Sequence, residues 1–350
     1  MEKKVMPVVF GLIAVILALA SYTASAQGQA LNPLQELYKA AKAEGKVLWQ
    51  TSVPIINLKP LIDGFQKKYP DIKLTAFYLG GTNAPSRIIT ESQTGNLSMD
   101  LAMASLIQLQ PLLDRDLIAA YDWTKVSDVN PKNILLNNKF IAQYDAPPTW
   151  FYNTKFVSAA EAPKSYEDLL NPRWKGKIVI PTGDTHFGQL YHVWKQNPEK
   201  AIDILKKLRA NQEFIVGSSM VETPNRVASG EAWFGVTLVS TLPAPMQAGA
   251  PLALCPMSPT TAPPYGMYVP KKVKNPNAAR LLMSWLASKE AAPVWVKSDR
   301  GPATPCDASS TAKLLCDAGI KYIRVDSEEG ARDIYNLGRT GFEILGFGPK

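Results

Sequence analysis

The sequence predicts an α/β protein of two lobes that are joined by a hinge. Apolar runs of strand length alternate with helical segments whose apolar residues recur every three to four positions, a pattern that favours parallel sheets. Two proline-bearing stretches, residues 147–148 and 261–264, interrupt this alternation and bracket a middle block. The chain would then cross twice between the lobes, and small ligands are most often enclosed in the cleft of such a hinged pair.

The first 26 residues have the pattern of a secretory signal peptide. Lys3 and Lys4 precede an apolar run over residues 5–20, and residues 24–26 form an A-x-A cleavage site. The apolar run is close to the shortest membrane span, so an uncleaved anchor is the alternative. No cysteine follows the cleavage site, which leaves a lipid anchor unsupported. We therefore expect an exported protein.

The cysteines and the net charge limit the classes of protein to which this sequence can belong. Cys306 and Cys316 would close a short loop in an oxidising compartment, which predicts a disulfide between them. Cys255 would then remain unpaired, in an apolar run. The formal net charge of +8 favours anionic partners. The basic residues are scattered, however, and form no arginine-rich face of the kind that binds nucleic acid. No cysteine or histidine spacing resembles a zinc site.

The block before residue 146 begins with a helix. Asn32 is a helix N-cap followed by proline, and Gly45 stops the apolar helical face. Two more helices are predicted, one that ends at Pro70 and one that starts near Ser86. The predicted strands are residues 47–50, 72–77 and 100–104.

The middle block and the segment after it continue the alternation. Ser165 and Asp168 form a capping box, and another helix follows residues 182–185. The predicted strands of the block are residues 177–180, 214–216 and 232–238, and later strands are predicted at 267–269 and 320–325. We assign residues 27–145 and 265–350 to lobe 1, and residues 146–264 to lobe 2.

Polar residues follow the predicted strands, at the sheet edge where α/β proteins bind ligands. The candidates are Thr51, Ser52, Thr82, Asn83, Ser105, Gly183, Asp184, Thr185, Ser240 and Thr241. Amides at a helix N-terminus also attract anions. The same residue types end strands and cap helices for structural reasons, which is the alternative for each. Arg87 and Arg226 are candidate counter-charges for an anion, with a solvated helix arginine as the alternative.

The sequence lacks the common catalytic motifs. His186 and His192 stand six residues apart, on different faces of one helix, and His186 in the first turn is the better ligand candidate. There is no nucleophile elbow, zinc-protease motif, Walker loop or dinucleotide fingerprint. We therefore expect no catalytic residues, no metal and no cofactor; a secreted hydrolase is the alternative from another class.

Six phrases resemble the periplasmic solute-binding proteins of ABC transporters, in the group that includes the ferric-iron binders. They are residues 65–70, 150–155, 163–170, 172–180, 229–231 and 275–280. The resemblance implies a two-lobe periplasmic-binding fold of type II, which is transferrin-like and closes on its ligand. It also implies that the protein presents the ligand to a membrane permease. From the signal peptide we expect a periplasmic location, and we expect a monomer.

This sequence departs from the iron binders at the residues that ligate the metal in those proteins, and the departure changes the ligand that we expect. In the iron binders the strand after the phrase at 229–231 ends in two adjacent tyrosines that ligate ferric iron, and here Ser240 and Thr241 stand there. Ferric iron favours anionic oxygen donors, which two hydroxyls do not supply. The loop at 182–185 matches the one that holds an accompanying phosphate or carbonate in those relatives, although Asp184 departs from an all-neutral loop. We predict a small, polar, anionic organic solute.

Two alternatives remain open for the function. Ferric iron or an iron chelate, bound through non-standard ligands, is the alternative within the family. A sensory role, in which ligand occupancy is reported to a membrane receptor, uses the same fold and is not separated from transport by sequence.

Overall fold

Two β-sheets with helices packed against them organise the protein. The computed structural model describes residues 31–80, 83–181 and 187–347, so the predicted signal peptide over residues 1–26 lies outside the described residues. Within those ranges, no helix has both the length and the apolar composition needed to span a membrane.

The bounds of the elements are as follows. The helices are α1 (Pro33–Glu44), α2 (Lys59–Lys68), α3 (Asn83–Thr94), α4 (Gln110–Leu113), α5 (Tyr191–Gln196), α6 (Pro198–Asn211), α7 (Thr223–Ser229), α8 (Pro243–Gln247), α9 (Pro276–Leu286), α10 (Ala292–Lys297), α11 (Ser310–Asp317) and α12 (Glu328–Leu345). The strands are β1 (Lys46–Thr51), β2 (Lys73–Tyr78), β3 (Ala102–Ser105), β4 (Ile134–Leu135), β5 (Phe140–Tyr144), β6 (Pro148–Asn153), β7 (Ile178–Pro181), β8 (Phe214–Gly217), β9 (Phe234–Leu238), β10 (Leu252–Leu254), β11 (Thr260–Ala262), β12 (Tyr265–Tyr268) and β13 (Tyr322–Arg324).

Local sequence signals set the first helix as predicted. The Asn32 side chain accepts a hydrogen bond from the Gln35 amide at 2.9 Å, which satisfies a backbone donor that the first turn leaves free. Gly45 ends α1 with a φ of 69°, a left-handed conformation that glycine adopts at little cost. This turn delivers the chain into β1, whose carboxyl end reaches the cleft described below.

The strands form two main sheets, of which the first is antiparallel and the second is mixed. The first has the order β3-β12-β5-β4, and the β1-β2 pair adjoins it through a bridge between Trp49 and Leu101. The second has the order β10-β6-β9-β7-β8. The prediction of parallel pairing is right for β1-β2, β7-β8 and β7-β9. It is wrong for the neighbours of β6 and β12, which are antiparallel because these strands enter their sheets from a crossing rather than from a helix.

Each main sheet has its own hydrophobic core. Trp49, Phe65 and Trp295 are fully or almost fully buried in the first core. Leu169 and Phe234 are fully buried in the second. Full burial of a large apolar side chain contributes about 1.5–3 kcal/mol relative to exposure, so each lobe is stabilised from within. The space between the two cores can therefore remain a polar cleft.

Within the ranges that the structure describes, the chain passes between the two sheets at three places. Residues 145–147 join β5 to β6, and residues 263–264 join β11 to β12. These crossings coincide with the two proline-bearing stretches of the sequence. The third crossing, residues 298–302, leads from Trp295 in the first core to Ala303 in a cluster on the second sheet. It was not predicted.

The last described helices pack mainly against the second sheet. Leu315 and Tyr322 join one hydrophobic cluster of that sheet, and Leu337 and Leu345 join the other. Ala331 contacts a cluster of the first sheet. The lobe boundaries given above remain a prediction, and this packing favours moving residues 303–345 from lobe 1 to lobe 2.

Candidate functional site

A cleft of about 370 Å³ lies between the two sheets. Its walls come from the carboxyl ends of β1, β2 and β5, the start of α3, the turn after β9 and the third crossing. The residues that line it are Ser52, Pro54, Tyr78, Leu79, Gly80, Asn83, Tyr144, Ser218, Ser219, Met220, Val221, Leu238, Ser240, Thr241, Tyr265 and Arg300. Among these described residues Arg300 has the one charged side chain. The described lining therefore has a positive charge and no carboxylate.

Arg300 is held inside the protein by neutral partners. Only 9% of its surface is exposed. Its Nη1 donates to the carbonyl oxygens of Asp299 at 3.1 Å and Ser240 at 3.3 Å. Within the described ranges no carboxylate lies at ion-pair distance from this guanidinium. A buried cation that lacks a counter-ion is costly, and an anionic ligand would supply one.

An aromatic stack supports the arginine. The Tyr144 ring is stacked against Tyr265, with ring centroids 5.3 Å apart, and against Trp295 at 6.2 Å. The Arg300 guanidinium lies 5.7 Å from the Tyr144 ring centroid, within the range of a cation–π contact. Burial raises the pKa of Tyr144, and the charge of Arg300 opposes that rise. Tyr144 is therefore a neutral phenol at physiological pH.

The strand that ends in Ser240 and Thr241 reaches the cleft. β9 ends at Leu238, and residues Val239–Thr241 form a 3₁₀ turn whose two hydroxyl residues line the cavity. The Thr241 hydroxyl lies 2.8 Å from both the Leu238 carbonyl and the Thr237 hydroxyl. The Thr241 hydroxyl therefore also helps to end the strand, which is the structural alternative given above for this residue. Ser240, with 6% of its surface exposed, contributes its carbonyl to Arg300.

The other predicted site residues lie at different depths. Ser52 and Asn83 line the cleft with Ser240 and Thr241. Thr51 is buried beneath it, where its hydroxyl accepts from the Val53 amide at 3.0 Å. Ser105 lines a separate cavity of about 30 Å³ beside the crossings. Thr82, Gly183, Asp184, Thr185 and His186 lie outside the described residues.

The two predicted counter-charges lie outside the lining of the cleft. Arg87 Nε donates to Glu91 at 2.7 Å on the half-exposed face of α3. Arg226 pairs with Glu222, and with Glu231 at 2.9 Å. Each arginine therefore already has a carboxylate partner within its own segment of the chain.

The predicted disulfide is confirmed. Cys306 and Cys316 are bonded, with Cα atoms 5.8 Å apart, and Cys255 is a buried free thiol. The bridge closes the loop after the third crossing, and the helix α11 that it joins packs against the 3₁₀ turn of Ser240. It therefore lies behind the site.

The sequence did not nominate Arg300, Tyr78, Tyr144 or Tyr265. The segment around Arg300 has the composition of an ordinary turn, with Gly301 and Pro302 directly after it. Its place in the cleft depends on the third crossing, which joins residues far apart in the chain. The signal that could have indicated it is the break in the chain between helix α10 and the loop of Cys306.

In this architecture a polar cleft lies between two lobes, which the crossings of the described chain connect. The model of the bacterial extracellular solute-binding protein family matches residues 107–326, and the chain belongs to this family. An uncharacterized protein of Haemophilus influenzae Rd is 31% identical over 147 residues. That match covers 40% of this chain and 42% of the relative.

Solved structures show the same two-lobe fold. Iron-bound HitA from Pseudomonas aeruginosa is 18% identical, with 85% of this chain and 99% of that chain covered at a TM-score of 0.70. An ABC-transporter substrate-binding protein from Agrobacterium tumefaciens is 19% identical, with 86% and 94% covered and a TM-score of 0.71. AfuA from Actinobacillus pleuropneumoniae, with exogenous fructose-6-phosphate bound, is 20% identical, with 86% and 99% covered and a TM-score of 0.68. At these identities the likeness shows the fold alone.

Proposed function

We propose that this protein is the periplasmic substrate-binding component of an ABC importer, and that it captures a small, polar, anionic organic solute in the cleft. Arg300 is the observation that carries the proposal. It is the charged member of the described lining, it is buried, and it has no carboxylate partner there. A guanidinium can bind a carboxylate or phosphate through two parallel hydrogen bonds, which makes an anionic group its natural occupant.

Neutral polar groups around Arg300 can bind the part of such a solute that lies beyond its anionic group. Ser52, Asn83 and Ser240, which carry hydroxyl and amide groups, line both sides of the cleft. These groups both donate and accept hydrogen bonds, so they can satisfy hydroxyl or carbonyl oxygens on the ligand. No carboxylate among the described lining residues is available for a cationic ligand. We therefore assign the cleft to an anion with a polar body.

The relatives give this proposal a precedent in the same fold. AfuA was solved with fructose-6-phosphate, and another fold relative is described as a receptor for GABA. Small charged organic solutes are thus bound within this architecture. Delivery to a membrane permease and location in the periplasm follow from the proposed role as importer component, and function as a monomer is part of the proposal. A sensory role would use the same cleft.

Ferric iron is the second candidate, and the tyrosines of the cleft favour it. Tyr78, Tyr144 and Tyr265 line the cavity, and a phenolate is the hard oxygen donor that ferric iron prefers. HitA, with the same fold, was solved with iron. Another fold relative, from Trichodesmium, was solved with iron and citrate, so an iron chelate is part of this candidate. A coloured complex with ferric salts would be its signature.

A thermal-shift screen tests these candidates against each other. A ligand that binds only the folded state raises the apparent stability by RT ln(1 + [L]/Kd). We expect stabilisation by particular carboxylated or phosphorylated metabolites in metal-free buffer. Stabilisation by ferric salts alone, with visible absorbance, would replace the organic anion by iron. Turnover of any compound in the screen would instead support a secreted hydrolase.

A further inference from the structure

The segment that carries Arg300 is fixed by one residue of another crossing. The main-chain amide of Asp145 donates to the Gly301 carbonyl at 3.1 Å. The Asp145 Oδ2 atom accepts a hydrogen bond from the Ala303 amide, also at 3.1 Å. Asp145 therefore holds the chain at the first and third residues after Arg300. These contacts restrict the path of the backbone from which the guanidinium extends.

The same carboxylate joins all three crossings. Asp145 belongs to the first crossing, and its Oδ1 atom lies 3.1 Å from the Tyr322 hydroxyl. That hydroxyl also lies 3.0 Å from the carbonyl of Ala262, which directly precedes the second crossing. Burial raises the pKa of Tyr322, and the charge of Asp145 raises it further, so this phenol stays protonated. Gly301 and Ala303 complete the network from the third crossing.

Asp145 can affect ligand binding through Arg300, but it does not itself line the cleft. Only 4% of its surface is exposed, and it is not among the residues that line the cleft. It directly follows Tyr144, whose ring contacts the Arg300 guanidinium. The end of β5 thus supplies both the ring beneath the arginine and the carboxylate that fixes its backbone. Arg324, with Nε 3.7 Å from Oδ1, partly balances the buried charge.

We infer that Asp145 is the positioning residue that holds Arg300 in its ligand-binding orientation and ties that orientation to the three crossings. The inference rests on the proposed function in so far as Arg300 binds the solute. It adds that affinity depends on a residue that never touches the solute. Loss of the carboxylate should free the Ala303 amide, loosen the segment that follows Arg300 and let the guanidinium leave the Tyr144 ring.

The direct test measures the position of Arg300 without a ligand. Phenylglyoxal modifies accessible arginines, and mass spectrometry reports the rate at each one. In Asp145→Ala, which removes the side-chain acceptor, we expect the rate at Arg300 to rise several-fold, while the rate at Arg226, which is paired on the surface, stays unchanged. Asp100→Ala is the matched control, because Asp100 is also a buried carboxylate that accepts backbone hydrogen bonds, from Leu48 and Asn275, but it lies away from the cleft.

Affinity for two defined probes, citrate and fructose-6-phosphate, tests the consequence. Asp145→Ala should weaken the binding of whichever probe the wild type binds by about tenfold. In an Arg300→Gln background the same change should add no further loss, since coupled residues are not additive. A general loosening of the fold would instead give the same loss in both backgrounds. Should Asp145→Ala not fold, Tyr322→Phe should raise Arg300 reactivity by a smaller factor.

The outcomes separate this inference from the proposed function. A folded Asp145→Ala protein with unchanged Arg300 reactivity would overturn the positioning role, whatever the probes do. Increased Arg300 reactivity in Asp145→Ala but not in Asp100→Ala supports it, even if neither probe binds the wild type. Failure of every organic anion to bind would count against the proposed function and leave the reactivity result standing.

Discussion

The Arg300 guanidinium donates to the main-chain carbonyl of Ser240 at 3.3 Å. Arg300 lies in the third crossing, whereas Ser240 lies in the turn that follows β9 of the second sheet, so this hydrogen bond joins the hinge to one wall of the cleft. A carbonyl accepts the bond but leaves the positive charge unbalanced. The arrangement therefore orients a cation toward the cleft without neutralising it, which is the condition that an anion-binding site requires.

Changing Tyr144 separates a stacking role from a ligand role. Tyr144→Phe keeps the ring between Trp295 and Tyr265, so stability should change little and affinity for an organic anion should stay within about threefold. Tyr144→Ala removes the ring beneath Arg300 and should lower the free energy of unfolding by about 3–5 kcal/mol. Denaturant unfolding and titration measure the two effects. Loss of all binding in Tyr144→Phe would show that the phenol oxygen is itself a ligand, as the iron candidate requires.

Reduction of the disulfide should destabilise the back of the site. The bridge closes a loop with a sequence separation of 10 between Cys306 and Cys316. Bridges of this kind contribute about 2–4 kcal/mol, so thermal unfolding in dithiothreitol should show a midpoint several degrees lower. Cys255→Ala is the control, since burial raises the pKa of that thiol and keeps it unreactive. An unchanged midpoint after verified reduction would contradict the supporting role of the bridge.

Stability should fall in mildly acidic buffer because of His192. Burial lowers the pKa of this imidazole from its ordinary value of 6.5, and the charge of Lys321 lowers it further. The unfolded chain therefore binds a proton near pH 6.5 that the folded protein does not take up until lower pH, so stability is lost as pH falls below 6.5. His192 also hydrogen bonds Thr261, which lies beside the second crossing.

Unfolding midpoints between pH 7.5 and 5.5 measure this effect. His192→Asn should reduce the slope of stability against pH, although it lowers stability at every pH by removing packing. A slope identical to that of the wild type would rule out His192 as the titrating group.

The sequence predicted much of the fold because its signals are local. Asn32 and Gly45 set the ends of α1, and the proline pairs marked the first two crossings. Ser52 and Ser240 were found because strand ends converge on one edge of a sheet. The direction of β6 and β12 was not foreseen, since antiparallel pairing there depends on where the chain crosses between sheets.

A comparison of the arginines shows why the rest of the site could not be predicted from the sequence. Arg87 and Arg226 were nominated from charge alone, although each has a glutamate four residues away that pairs with it on the helix surface. That spacing is visible in the sequence and argues against a free cation. Arg300 has no such neighbour, but its position in the cleft depends on Asp145 and Tyr144, more than 150 residues earlier in the chain. Contacts of that range have no local pattern.

The most direct test of the account is a calorimetric titration of the wild type, Arg300→Gln and Arg226→Gln with the organic anion that stabilises the protein most in the screen. Loss of one partner of a buried charge pair weakens binding by at least about 30-fold, which is the result expected for Arg300→Gln. Arg226→Gln should bind as the wild type does, because Glu222 and Glu231 already occupy that arginine. Wild-type affinity in Arg300→Gln would contradict the central claim that Arg300 binds the solute.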